Sequence, residues 1–374
     1  MRTPLRLVTA AVLAVVVTAA PAAAGPEDGT VGGERLGTTG LVVDRDAPAL
    51  PAGISASSFV VADLDSGEVL AAKDPHGRYA PASTLKTLTA VTLIPILDPA
   101  RKVVPAFDDI NVEGSKVGLV ERVGYPISEL FSALMMVSGN DAANVLASAA
   151  GGQEATAALM NEKARSLHAY DTRAVNPHGL DAEGQVSSAY DLALIARAGM
   201  ADPAFAAYAA MKRGSVSAPG SARIEMYTKN KLLKSYEGGL GIKNGFTSRA
   251  RASFVGAAER DGRRLVVTLM RANPKVADEA IKLLDWGFAA AAVADPVGTL
   301  VDPETTPEEA ETAVQARAAP LTGGDGRGFP VTLAGLGLAA AALLSIRHRP
   351  APAPVRRPVP SQRAQPVRVP AGRR

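Results

Sequence analysis

The chain reads as an α+β domain: an antiparallel sheet drawn from both ends of one globular unit, flanked by helices, with a helical region inserted between its two groups of strands. Three features predict it: alternating strand segments near residues 59–72, an Ala-rich stretch of helical periodicity over residues 126–211, and strand signals that return at 241–270 ahead of one further helix.

Taken in order, residues 59–64 and 68–72 flank a turn at Asp65-Ser66-Gly67 and form a β-hairpin. A helix starts near Pro81-Ala82, runs through Ser83 and ends at about Ile94, because Pro95 disfavours helix in the residue before it. Residues 127–137, 141–150, 153–166 and 189–198 follow as helices. Residues 241–247, 252–259 and 263–270 are short strands, the last two joined at Asp261-Gly262. Residues 276–293 close the domain as a helix, with Leu283, Leu284, Trp286 and Phe288 as core positions.

The ends carry a different text. Residues 1–24 hold Arg2 and Arg6, an apolar run over 7–20 and then Ala22-Ala23-Ala24, the layout of a secretory signal cleaved after Ala24. Residues 25–51, rich in Gly, Pro and Asp, read as a flexible leader, and 52–294 as the folded domain. Residues 295–328 read as an extended linker, without periodicity. Residues 329–346 are uncharged and about long enough to span a bilayer, and the basic tail 347–374 fits a cytoplasmic end. The expectation is therefore a single-pass membrane protein with its folded domain outside the cytoplasm.

Charge follows this division. The whole chain has a net charge of +3, with 40 basic and 37 acidic residues. Eight of the basic residues lie in the tail and two in the signal, and neither segment contains an acid. The remaining chain has 30 basic against 37 acidic residues and is net negative. The basic excess belongs to the tail, so nucleic acid is not expected as a partner. Cysteine is absent, so no disulfide is available. Only four His occur, without a His-x-x-x-His pair, so neither a metal site nor a cofactor is expected.

Three short polar motifs carry the chemistry. Ser83 and Lys86 are three apart on a helix, hence on one face. A serine hydroxyl needs an adjacent base to become a nucleophile, and a desolvated lysine near a second cation can be that base. One Ser-x-x-Lys is expected by chance in a chain of about this length, so the pair gains weight only from the others. Ser138-Gly139-Asn140 precedes a helix, where it could serve as a cap or present a proton relay and an amide to a cleft. Lys243-Asn244-Gly245 lies on a strand, and a glycine within a strand marks close approach of another backbone or a ligand. Such an edge strand could pair with a peptide, with amides near Phe246 and Ser83 forming an oxyanion hole.

These segments resemble the D-alanyl-D-alanine carboxypeptidase family, the low-molecular-mass penicillin-binding proteins of the penicillin-recognising serine acyltransferases. The likeness runs through 81–87, 138–143, Asn176-Pro177-His178-Gly179-Leu180 and Leu283-Leu284-Asp285-Trp286-Gly287-Phe288, in family order and spacing. It implies a β-lactamase/transpeptidase-like fold, Ser83 as nucleophile, Lys86 as acylation base and Ser138 as relay. Asn140, Lys243, Asn244, Gly245, Phe246 and Thr247 would bind substrate. A peptidoglycan stem peptide would be that substrate and β-lactams would inhibit.

Two departures stand out. Asn244 replaces the usual Thr, and the Arg that usually precedes the closing helix is Val276, with Arg271 or Lys275 as the available substitutes. The rival readings are a transpeptidase or endopeptidase, a β-lactamase (for which no deacylating Glu segment is evident) and a catalytically silent wall-binding protein.

Overall fold

The computed structural model describes residues 29–304. The segments assigned to the signal (1–24) and to the spanning helix and tail (329–374) lie outside the described residues. Among the described residues no helix is long and apolar enough to cross a membrane.

In chain order the strands are β1 (Leu41–Val43), β2 (Ser58–Asp63), β3 (Glu68–Lys73), β4 (Lys102–Val103), β5 (Tyr125–Pro126), β6 (Arg213–Ser217), β7 (Arg223–Tyr227), β8 (Gly239–Thr247), β9 (Arg251–Arg260), β10 (Arg263–Ala272) and β11 (Gly298–Thr299). The helices are α1 (Lys86–Leu93), α2 (Phe107–Ile110), α3 (Ile127–Met136), α4 (Asn140–Ala149), α5 (Gln153–Ser166), α6 (Ala189–Ala201), α7 (Pro203–Ala209), α8 (Lys231–Ser235) and α9 (Val276–Ala290). The sequence expectation of a mixed α+β fold holds.

The main sheet runs β1-β3-β2-β10-β9-β8, with β11 also on β3, and its pairings are antiparallel. Strands from both ends of the domain therefore meet in its middle, where β2 lies against β10. Every residue of β2 is buried, because alternate side chains serve two different cores. Val60 and Ala62 face the core shared with α1, α3, α4 and α6, whereas Phe59 and Val61 face the core under α9. A strand covered on both faces has no reason to alternate apolar with polar, which accounts for its nearly continuous apolar text.

Three sequence expectations need correction. The leader is not free over its whole length: Leu36 is fully buried, β1 pairs with β3, and the Trp286 indole donates to the Pro48 carbonyl at 2.8 Å. The linker likewise begins later than residue 295, since β11 pairs with β3 and Val297 and Leu300 are buried. Both stretches have few apolar residues, and those few find partners far away in sequence, where periodicity gives no signal. The region between residues 211 and 241 also holds a β6–β7 hairpin and α8, neither of them expected. The hairpin buries only Val216 and Met226, so it carries little hydrophobic pattern.

Candidate active site

Ser83 sits in a single 3-10 turn, Ala82–Leu85, that leads straight into α1. The turn is pinned at the Pro81 carbonyl, which accepts from Thr84 Oγ1 at 2.6 Å and from Ser253 Oγ of β9 at 2.7 Å. Lys86 Nζ then lies 3.1 Å from Ser83 Oγ, the contact that the three-residue spacing predicts.

Lys86 is fully buried. Besides Ser83, its Nζ donates to Asn140 Oδ1 at 2.7 Å and to the backbone carbonyl of His178. Burial, and then the charge of Lys243, hold its pKa well below the usual lysine value, opposed by Asp141. A neutral amine has two hydrogens and one lone pair. With the hydrogens given to Asn140 and His178, the lone pair faces the Ser83 hydroxyl. That is the geometry of a general base.

The carbonyl at His178 was invisible in the sequence, since it belongs to the backbone. It is held in place by the loop that surrounds it. Asn176 Oδ1 accepts from Gly179 N at 2.8 Å, Asn176 Nδ2 donates to Leu180 O at 2.9 Å, and Thr89 Oγ1 of α1 donates to Pro177 O at 2.7 Å. Gly179 has φ of +84°, and a Cβ there would overlap the Ala82 carbonyl. Burial and the nearby Lys86 push the His178 imidazole down to about 4, so it is neutral, and its Nδ1 accepts from Leu180 N at 3.2 Å.

In the second motif, Asn140 is committed to Lys86 and to the segment before α3. It is 2% exposed, its Oδ1 is held by Lys86, and its Nδ2 donates to Glu113 O at 2.6 Å. Its own N–H donates to Ser115 O at 2.7 Å, so residue and side chain are both turned onto the segment before α3. Asn140 supports the base. Asp141, next in sequence, accepts from the amides of Val117, Gly118 and Leu119 at 2.8–3.1 Å and fixes the same segment.

Ser138 is not the helix cap, because Gly139 occupies that position and no side chain caps α4. Ser138 instead has φ of +64°, a left-handed backbone costly for a residue with a Cβ, and its buried Oγ has no hydrogen-bond partner among the described residues. Its hydroxyl is thus uncommitted within the domain.

The third motif lies on β8, which pairs only with β9 and so forms the open edge of the sheet. Gly245 allows close approach: a Cβ there would lie 2.6 Å from Ser83 N and 2.8 Å from Ser253 Oγ. Lys243 is 1% exposed, and its Nζ donates to Asn244 O at 2.9 Å. Burial, then the charge of Lys229, bring it down to about 7. The Asn244 side chain is half-buried and makes no hydrogen bond among the described residues. Phe246 is 62% exposed, which leaves its backbone as the useful part. Thr247 Oγ1 donates to Asp181 at 3.0 Å. Val276 is buried in the core under α9.

Among the described residues His76, Asp171 and Asp191 bring three donor atoms within 4.8 Å of one another. They are satisfied as an ion pair. His76 Nδ1 lies 2.8 Å from Asp171 Oδ2 and Nε2 lies 3.1 Å from the Val31 carbonyl, so both ring nitrogens donate and neither has a lone pair for a metal.

A desolvated lysine in contact with one serine, at the open edge of the sheet, defines a serine hydrolase of the acyl-transfer kind. Residues 45–274 match the family described as D-alanyl-D-alanine carboxypeptidase. The chain is 42% identical over 257 residues to D-alanyl-D-alanine carboxypeptidase DacB2 of Mycobacterium tuberculosis, covering 65% of this chain and 88% of that protein. It is 34% identical over 256 residues to D-alanyl-D-alanine carboxypeptidase DacD of Escherichia coli, covering 63% of this chain and 64% of the relative's length. A crystal structure of a D-alanyl-D-alanine carboxypeptidase from M. tuberculosis superposes with a TM-score of 0.65 at 40% identity, over 70% of this chain and all of that one. The chain belongs to the D-alanyl-D-alanine carboxypeptidase family.

Proposed function

We propose that Ser83, Lys86 and Ser138 carry out a D-alanyl-D-alanine carboxypeptidase reaction on peptidoglycan stem peptides. The observation that supports it most is the Lys86 amine, desolvated and oriented toward Ser83 by two other acceptors. Lys86 takes the Ser83 proton as Oγ adds to the carbonyl of the penultimate D-alanine. The amides of Ser83 and Phe246 receive the oxyanion. Ser138 passes a proton to the departing D-alanine nitrogen, the C–N bond breaks, and water then hydrolyses the ester. Lys243 and the free Asn244 amide receive the carboxylate of the leaving residue. Penicillin enters the same cleft and acylates Ser83.

The test is a comparison of wild type with Ser83→Ala, using labelled penicillin and a stem pentapeptide. Wild type should form an adduct and release D-alanine; the variant should do neither. An adduct on the variant would refute the assignment, and rapid turnover of penicillin by wild type would favour a β-lactamase instead.

We propose further that the enzyme is exported through residues 1–24 and tethered by 329–346, with its catalytic domain outside the cytoplasm. The support is the sequence pattern of those segments. A chain ending at residue 325 should leave the membrane fraction.

A further inference from the structure

A cavity of about 160 Å³ lies between the nucleophile turn and the far end of β8, lined by Arg78, Tyr79, Ala80, Val186, Arg249, Ala250 and Arg271. Ala80 stands three residues before Ser83. Ala250 N donates to Thr247 Oγ1 at 2.9 Å, which ties the cavity wall to the end of the catalytic strand. Three arginines around one small space repel one another, and among the described residues only Arg78 has a counter-charge, Asp171. Arg249 and Arg271 have none. Asp74, which touches Tyr79, and Asp181, which touches Thr247, each accept a hydroxyl instead of pairing with them.

Arg271 is also placed there at some expense of backbone. It has φ of +54° and sits where the β9–β10 register shifts between Leu269 and Ala272. A bulge of this kind re-aims a side chain out of the strand's regular alternation.

Direction along β8 fixes what could reach this place. On the acyl-enzyme reading above, on which this inference rests, the leaving D-alanine lies toward Ser138 and Lys243. The acyl half of the peptide then continues past Gly245 and Phe246 toward Thr247, as an added antiparallel strand. We infer that the Arg249–Arg271 cavity is a subsite for a carboxylate carried by the acyl half of the stem peptide, on the amino side of the scissile bond. Its two uncommitted guanidinium groups offer paired donors suited to a carboxylate, and Tyr79 and Ala80 close the wall.

The test uses the full chain and N-acetylated peptides ending in D-Ala-D-Ala, with Glu or Gln at the first or the second residue ahead of that pair. Wild type should show kcat/KM about tenfold or more higher for Glu than for Gln at one of the two positions, the range of a charge-assisted hydrogen bond. Arg249→Gln/Arg271→Gln should bring that ratio to about one. Equal rates for Glu and Gln at both positions in wild type, or a preference that survives in the double variant, would overturn the inference. Penicillin labelling of wild type reads the underlying site separately: labelling without a Glu preference removes the subsite alone, whereas no labelling and no D-alanine release remove the acyl-enzyme reading and the subsite with it.

Discussion

As the base proposed above, Lys86 would act only in its neutral form, so its pKa would set the pH at which acylation becomes possible. Burial and the charge of Lys243 push that value down, and acylation should therefore rise with pH through the depressed value and level off above it. Replacing Lys86 by Gln removes the base and should slow penicillin acylation by about 10²- to 10⁴-fold, the usual weight of general-base catalysis. Asn140→Asp puts a carboxylate where an amide oxygen now lies 2.7 Å from Nζ. That favours the ammonium form, so the rising limb should move to higher pH. A substrate-binding Asn140 would change KM and leave the limb in place, which separates the two roles by stopped-flow acylation across pH. The sequence made Ser83, Lys86, Ser138 and Lys243 legible as candidates, because side chains recur in motifs. It could not show the His178 carbonyl, or that Asn140 faces Lys86, because a motif names residues without saying which way they turn.

At the scale of elements, the site is held by two close approaches that only glycine permits. β8 presses Gly245 against Ser83 N, and the 176–180 loop presses Gly179 against Ala82. Gly245→Ala should push β8 off the nucleophile turn and lower acylation by about tenfold or more, since small displacements of reacting groups are costly. Gly179→Ala adds the strain of a positive φ to the same kind of overlap. It should move the His178 carbonyl away from Lys86 and lower both acylation and thermal stability. Normal acylation by either variant would show that the site tolerates looser packing than these distances imply. The glycine in β8 was readable beforehand as a mark of close approach, whereas the partner across the gap was not. Helices α3 and α6 were legible for a simpler reason: each is buried over most of its length, largely through apolar side chains. The β6–β7 hairpin, with two buried side chains, offered no such signal to read.

Across the whole molecule, the two ends of the described chain meet at the sheet edge opposite β8. Thr299 N donates to Gly32 O at 2.9 Å, Leu300 N to Gly67 O at 2.6 Å, and Tyr190 of α6 donates to Thr299 O at 2.7 Å. Leu36 packs against Gly298, where an added Cβ would lie 2.6 Å from Leu36 Cδ1. Residues 29–40 and 296–304 thus form one patch that covers β3 and leaves the catalytic edge open. Cutting the chain at 295 exposes the sites of Val297 and Leu300, each worth about 1.5–3 kcal/mol on burial. The urea midpoint should fall accordingly, while penicillin acylation without urea stays close to that of the chain ending at 304. Removing residues 29–40 instead uncovers Leu36 and the same corner. Because the two segments rest on each other, each deletion already forfeits part of what the other holds. The double deletion should therefore cost less than the sum of the single ones, as expected for groups in contact. Strict additivity in the urea midpoints would show that each segment docks on β3 independently.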